Sequence, residues 1–306
     1  MQVGVVLINI GSPAAPRRDE AKSFLRQFLM DPHIISLPWP ARWLLVNAFI
    51  VPRRAGPSAN EYRKIWTARG SPLVAHTADL AAGVQRELGA GYVVKHAMRY
   101  GSPSIGAVLG DFRDLGLKSL VVCPLFPQYC ACTTQSAVDE VQKHAAGFDL
   151  RMVLPFYGRP DYIKVLAGVS RDAVSGAGHV VMSFHGVPAG IGKDYGSQCH
   201  ETAELVAEAL GLPEDRFTVS FQSRMGAGEW LGPSTRDVVS TLGAKGVQNI
   251  AVMCPSFVSD CLETLGEIGI SLAEEYREKW GGALTLVPSL NSDARWSKVL
   301  ANFLLP

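Results

Sequence analysis

The chain has 306 residues, with 29 Lys and Arg against 28 Asp and Glu, so its formal net charge is +1. Hydrophobic residues make up 47% and charged residues 19%, a low charged share beside the about 25% usual for soluble proteins. The balance excludes a basic nucleic-acid-binding surface and a charge-extended disordered chain, and the length allows one large domain or two of about 150 residues.

In chain order, the first strand-like run is 3–10, which ends in Gly11-Ser12-Pro13. No basic n-region precedes it, so no secretory signal is read and a cytoplasmic protein is expected. The stretch 14–91 contains the longest apolar segment, Leu44-Leu45-Val46-Asn47-Ala48-Phe49-Ile50-Val51. That is far short of the roughly 20 residues of a spanning helix. Seven further β-rich runs follow, at 92–98, 117–123, 150–154, 179–184, 217–221, 247–253 and 284–287, separated by longer amphipathic stretches. Eight apolar strands alternating with helices predict an α/β fold with parallel sheet. Six scattered cysteines do not form a disulfide framework, and reduced thiols are expected.

The chain also repeats itself. Val5 to Pro13 matches Val180 to Pro188 without a gap, at an offset of 175. Met98-Arg99-Tyr100-Gly101 resembles Ser223-Arg224-Met225-Gly226, at an offset of 125. The run Gly116 to Val122, then Cys123-Pro124-Leu125-Phe126, parallels Gly246 to Val252, then Cys254-Pro255-Ser256-Phe257. Val153-Leu154-Pro155 parallels Leu286-Val287-Pro288. Four markers in the same order predict a duplicated four-strand unit. The first copy then carries about 50 extra residues between its first two strands, and these include Trp39, Trp43 and the apolar segment. Two readings of this insertion stay open: a helical hairpin packed on the domain, or a greasy lip over a site or against a membrane. The boundaries expected are 1–155, with the insertion at about 24–75 and the C-terminal helix 290–306 joined to it, and 156–289 for the second half.

In open α/β sheets ligands sit outside the carboxyl ends of the strands. His185 ends a buried-type strand before Gly186-Val187-Pro188, where the first copy has Ile10. A titratable residue in an aliphatic slot is a site candidate, although a lone histidine there can also be a satisfied core residue. Asp260, Glu263 and Glu267 stand at i, i+3 and i+7 after Cys254-Pro255, which predicts one face of a helix capped by Ser259 or Asp260. Such a row suits proton transfer or passage of a divalent cation; first-turn acids also complement a helix dipole with no further role. The loops from Phe221 to Thr235 and from Pro124 to Thr134 carry aromatic, hydroxyl and basic groups after strands. No zinc-ribbon spacing, Walker pattern or G-x-G-x-x-G is present.

Together these runs resemble the ferrochelatase family, whose members insert ferrous iron into a porphyrin. The resemblance spans nearly the whole chain. It rests on Leu7-Ile8-Asn9-Ile10-Gly11-Ser12-Pro13, Pro52-Arg53-Arg54, Met98-Arg99-Tyr100, Leu125-Phe126-Pro127-Gln128-Tyr129 and Ser183-Phe184-His185-Gly186-Val187-Pro188. It continues through Phe221-Gln222-Ser223-Arg224, Trp230-Leu231-Gly232-Pro233-Ser234-Thr235, Cys254-Pro255-Ser256-Phe257 and Asp260-Cys261-Leu262-Glu263-Thr264-Leu265.

The resemblance implies two similar Rossmann-like, chelatase-type domains, each a four-stranded parallel sheet flanked by helices, with a porphyrin cleft between them. It makes His185 the essential histidine and Glu263 its partner carboxylate, both also metal-handling, with Asp260 and Glu267 as an acidic relay. Ile10, Arg99, Tyr100, Phe126, Tyr129 and Trp230 would contact porphyrin, with Arg53 and Arg54 near the propionates. The reaction implied is insertion of Fe2+ into protoporphyrin IX with release of two protons, the last step of haem biosynthesis. Coproporphyrin III is the alternative substrate, and members of that branch typically have Tyr where this chain has Ile10. A two-lobed tetrapyrrole- or metal-binding protein is the non-enzymatic alternative.

Three departures stand out. Gln135 follows Thr133-Thr134 where a Gly is frequent, the loop 189–196 is short, and the chain stops at Pro306 without a cysteine-bearing tail. No iron–sulfur cluster and no permanently bound cofactor are therefore expected. Iron and porphyrin are the partners, nucleic acid is not, a peripheral membrane contact at the inner face is open, and a monomer is favoured.

Overall fold

The computed structural model describes residues 2–191, 193–224 and 228–306. Gly192, in the short loop, and Met225 and Gly226, in the second repeat marker, lie outside them.

In the first half β1 (Val3–Gly11) runs through the centre of a sheet, and Val5, Val6, Leu7 and Ile8 are all fully buried. A strand covered on both faces needs such a continuous apolar run. The helices α1 (Arg18–Leu29), α2 (Trp39–Leu44), α3 (Val51–Ile65) and α4 (Pro72–Leu88) follow, with a π-helical stretch, Leu45–Ile50, leading into α3. Then come β2 (Tyr92–Tyr100), α5 (Ile105–Asp114), β3 (Ser119–Pro124), the π-helical turn Ala131–Gln135, α6 (Ser136–His144) and β4 (Asp149–Met152). The second half contains α7 (Pro160–Ser175), β5 (His179–His185), α8 (Lys193–Leu210), β6 (Phe217–Gln222), α9 (Thr235–Ala244), β7 (Asn249–Met253), the π-helix Leu262–Leu272, α10 (Ala273–Trp280) and β8 (Ala283–Leu286). The last helix is α11 (Ala294–Leu304).

The two sheets have the same strand order, β2-β1-β3-β4 and β6-β5-β7-β8, and every pair is parallel. The register places Gly4 opposite Leu120 and His179 opposite Ile250, which matches the sequence offset of 175 between β1 and β5. The second marker needs correction. Val5 faces Val94 and Val180 faces Phe217, so Met98 corresponds to Phe221 and Arg99 to Gln222, two residues from the sequence match. The next turn agrees: Met98 N donates to Pro103 O (2.7 Å) and Phe221 N to Pro233 O (2.9 Å). A slip of two preserves the inward and outward alternation of a strand, so the hydrophobic pattern could not expose it.

Two compact units result. One holds the described residues of Met1–Phe126 with Cys130–Leu154 and Ser292–Pro306; the other holds Pro127–Tyr129 and Pro155–Asn291. The first is centred on Val6, Ile8, Leu109, Phe112 and Val122, and the second on Val181, Ile250, Val252, Ile268 and Tyr276. Helix α11 belongs to the first unit. It is capped by Asp293, buries Trp296 and Leu300 completely, and packs on α4 so closely that a Cβ on Gly83 would lie 2.4 Å from Ser297 Oγ.

Part of the insertion is packed on itself and part is exposed. Leu29, Val46 and Val51 form a small core with Leu25, Phe28 and Ile34, so α1 and α3 make a packed hairpin. Leu37, Trp39, Trp43, Leu44 and Phe49 point to solvent, and Trp39 is 62% exposed. Among the described residues no helix is long and apolar enough to cross a membrane.

Candidate active site

His185 is the last residue of β5, half-buried at the carboxyl end of the central strand of its sheet. Its Nδ1 lies 2.7 Å from the carbonyl oxygen of Gly186. A carbonyl only accepts, so Nδ1 carries the proton and Nε2 keeps its lone pair. The backbone is fixed as well, with His185 N donating to Ser256 Oγ (3.3 Å) and Tyr195 OH to His185 O (3.0 Å). Trp230 is held beside this corner, because Leu231 N donates to Val187 O (3.0 Å) and Ala189 N to Glu229 O (2.9 Å). A Cβ on Gly186 would sit 2.7 Å from Gln222 O and 3.5 Å from the Trp230 ring, so glycine allows this approach.

The acidic row starts later than its spacing predicts. The helix is π-type, runs Leu262–Leu272 and is capped by Cys261, not by Ser259 or Asp260. Cys261 N donates to Thr264 Oγ1 (3.0 Å), and the Cys261 side chain accepts from the Thr264 backbone. Long π-helical runs are rare and gather at functional sites. Glu263 and Glu267 stand on this helix, and Asp260 stands outside it. Asp260 is 6% exposed and is occupied on both oxygens. It accepts from Thr264 Oγ1 (3.0 Å), Asn291 Nδ2 (2.8 Å) and Ser289 N (3.4 Å), and its own N–H donates to Asn291 Oδ1 (2.8 Å). It therefore ties the start of the π-helix to the segment after β8, a geometry that suits an anchor better than a relay.

Glu267 grips the end of β6. Ser223 has φ +61, a strained value for a non-glycine residue. Its N–H donates to Glu267 Oε1 (3.0 Å) and its hydroxyl to Oε2. One residue earlier, buried Gln222 donates to the backbone oxygen of Glu263 (2.8 Å) and accepts from Ser183 Oγ (2.6 Å). Strand β6 and the π-helix are thus fastened together through the Glu263 backbone and the Glu267 side chain.

In the first unit Arg99 and Tyr100 end β2. Arg99 Nε donates to Ser136 Oγ (2.7 Å) and Ser136 O (2.9 Å), and Nη2 to Asp31 Oδ2 (2.5 Å). Tyr100 is completely buried, its hydroxyl donates to Asp31 Oδ2 (2.9 Å), and burial pushes its phenol pKa up so that it stays a neutral donor. Tyr100 therefore supports Arg99 from within and presents no face to a ligand, contrary to the expectation that it lines the cleft. Asp31 and Ser136 escaped the sequence reading, since neither lies in a strand-end run of unusual composition.

Among the described residues no three His, Cys, Asp or Glu side chains gather to hold a metal ion. The ferrochelatase family model matches residues 2–305. The chain belongs to the ferrochelatase family. Ferrochelatase of Chromobacterium violaceum is 40% identical over 98% of this chain and 86% of its own length. Ferrochelatase of Pseudomonas savastanoi pv. phaseolicola is 37% identical over 97% and 95%. The sirohydrochlorin chelatase SirB from Bacillus subtilis subspecies spizizenii, solved in complex with cobalt, shares the fold at 10% identity, with a TM-score of 0.61 over 99% of this chain and 94% of that one.

The remaining residues expected from the ferrochelatase resemblance fall in several settings. Ile10, at the end of β1, is half-buried, and its N–H donates to Asn9 Oδ1 (2.8 Å). Phe126 packs on the core of the first unit. Tyr129 is 39% exposed, and its N–H donates to Gln198 Oε1 (2.7 Å). Arg53 and Arg54 are exposed on α3, and Arg53 Nη1 donates to Phe49 O (2.9 Å).

Proposed function

We propose that the chain is a protoporphyrin ferrochelatase, inserting ferrous iron into protoporphyrin IX to give protohaem and two protons. Family membership makes it a metal chelatase acting on iron and a porphyrin; the choice of protoporphyrin is the finer reading. The observation that carries the mechanism is the tautomer of His185. With Nδ1 held by the Gly186 carbonyl, Nε2 presents its lone pair as a base and metal ligand on a rigid strand end. It takes a pyrrole proton as the metal enters, and Glu263 assists as a carboxylate that binds Fe2+ weakly enough to release it to the ring. Iron enters as substrate, so the scheme calls for no resident cofactor. Porphyrin is large, flat and apolar, and its contacts are drawn from Ile10, Phe126, Tyr129 and Trp230, with Arg53 and Arg54 toward the propionates.

Ile10 supports protoporphyrin, because an aliphatic side chain at that strand end offers no hydroxyl to a more carboxylated ring. Spectrophotometric assay with ferrous iron should show higher kcat/KM for protoporphyrin IX than for coproporphyrin III; the reverse order overturns the choice of substrate.

The exposed Leu37, Trp39, Trp43, Leu44 and Phe49 support a peripheral seat on the inner membrane face, where aromatic side chains partition to the interface. The chain should float with vesicles containing phosphatidylglycerol, and a W39A/W43A variant should float several-fold less. Equal flotation of the two would remove these residues from membrane binding.

A further inference from the structure

We infer that Asp31 is a positioning residue for porphyrin binding: it orients Arg99 and keys the foot of the insertion to the end of β2. The inference rests on the ferrochelatase reading for what is bound, and on the geometry of the first unit for how.

Asp31 lies two residues past α1, and its side chain is 1% exposed beside an Arg99 side chain that is 11% exposed. Four donors converge on it. Oδ2 takes Arg99 Nη2, Tyr100 OH and Ser136 Oγ (2.7 Å), and Oδ1 takes the His33 N–H (2.8 Å). Arg99 also lies over the Tyr100 ring at 4.6 Å, and its Nη1 stands 3.7 Å from Glu140 Oε2. The guanidinium is therefore fixed along its Nε and Nη2 side by Ser136 and Asp31. Paired buried charges are held in one geometry, whereas a lone buried Arg would reorient or draw in water.

The same segment is fastened twice more. Gln27 Oε1 accepts from Gly101 N (2.9 Å), and His33 Nε2 meets Asp139 Oδ2 of α6 (2.7 Å). Phe28 packs edge-on against Tyr100 at 5.2 Å. Asp31 is the centre of these anchors and the only one that is both charged and buried among three side-chain donors. Its carboxylate thus passes the position of α1, and of the segment that follows, to Arg99. The exposed apolar residues of the insertion begin six residues later, at Leu37.

The test uses the full-length protein, with D31N, D31E, S136A, R99Q and D31N/R99Q. D31N should raise KM and Kd for protoporphyrin, read by fluorescence quenching, about tenfold while kcat stays within threefold. D31E should recover part of the loss, and S136A should move the same way by less. D31N/R99Q should be no worse than R99Q, because both act through one pair. Hydrogen exchange in D31N should rise across residues 32–50 and not in β1 or β3. Should D31N fail to fold, S136A and D31E carry the same comparison. Unchanged KM and Kd in D31N and S136A, or additive losses in the double variant, would overturn the inference. A wild-type protein that inserts no iron would instead overturn the ferrochelatase reading, with porphyrin affinity and hydrogen exchange still judging Asp31.

Discussion

The ends of β2 and β6 occupy the same place in two copies of one fold and are fastened in opposite ways. In each copy a π-helical segment follows a cysteine, Cys130 or Cys261, of which only Cys261 caps with its side chain. Six residues past the cysteine stands Ser136, the first residue of α6, in the first copy and Glu267, within the π-helix, in the second. Ser136 bonds Arg99 and Tyr100, and Glu267 bonds Ser223. The first copy brings its carboxylate, Asp31, from the insertion and buries it under four donors. The second carries its carboxylates on the π-helix itself, beside a central strand that ends in His185 where the first has Ile10. One scaffold slot can thus hold a shape or present a titratable group, and the deciding factor is where the carboxylate comes from. The first copy is fixed by an imported charge, and the second by a carboxylate of its own π-helix, Glu267, which holds Ser223.

The largest contrast is expected at the paired glycines that follow these central strand positions. Gly11 has φ +108, and a Cβ there would lie 1.8 Å from Tyr100 O; Gly186 has no positive φ, and its Cβ would lie 2.7 Å from Gln222 O. G11A faces both backbone strain and a collision with another strand's backbone, which nearby side chains cannot relieve. Its loss of stability should exceed about 4 kcal/mol and exceed that of G186A, which meets the Gln222 backbone at a longer distance and without the strain of a positive φ. Urea unfolding of the two variants checks this, and equal midpoints would break the distinction between the two strand ends.

The next effect is chemical. H185A should lower kcat for iron insertion by about 10²–10⁴-fold, the range for loss of a positioned proton acceptor, while protoporphyrin still binds. Adding I10H to H185A should restore nothing, because the first copy lacks acidic groups on the π-helical turn beside that strand end: its Ala131–Gln135 contains none. Recovery of activity in the double variant would show the two strand ends to be interchangeable and end the comparison. A kcat within threefold of wild type in H185A would remove His185 from the reaction.

How much of this the sequence disclosed follows from the range of each interaction. The eight strands and their duplication were readable because buried parallel strands need unbroken apolar runs, and β1 and β5 align without a gap, sharing Val-Val and the Gly and Pro that follow. His185 was readable because it breaks such a run at its end. The π-helix was not, since Leu262 to Leu272 has a pattern that also fits an α-helix, and only the backbone distinguishes them. Cys261 as its cap was hidden for the same reason, because a thiol is a weak acceptor that propensity rules pass over. Asp31 was invisible because its partners Arg99, Tyr100 and Ser136 lie 68 to 105 residues away, and no local pattern marks a carboxylate that will be buried among them. Tyr100 was placed at the cleft by family resemblance, and the same distance hid its inward-facing hydroxyl bond to Asp31.

The smallest expected effect is also the one most specific to the imported carboxylate. Burial pushes the Asp31 carboxyl pKa up, but hydrogen bonds from Ser136, the His33 N–H and Tyr100, with the charge of Arg99, outweigh it and hold the carboxyl below its ordinary 3.8. Glu140, on the other side of Arg99, is also lowered: burial opposes this, and Lys143, Arg99 and His144 prevail. A carboxyl lowered on folding contributes stability that is fully present above its unfolded pKa and is lost as pH falls through the folded one. D31N, which cannot ionise, should therefore unfold about 1–3 kcal/mol more easily than wild type at pH 7. That gap should stay level down to about pH 5 and narrow below about pH 4, as the wild-type carboxyl takes up a proton. Thermal melts of both proteins across pH 3–7 read it directly. A gap of constant size at every pH would mean that Asp31 acts by shape alone and that its charge holds neither Arg99 nor the insertion.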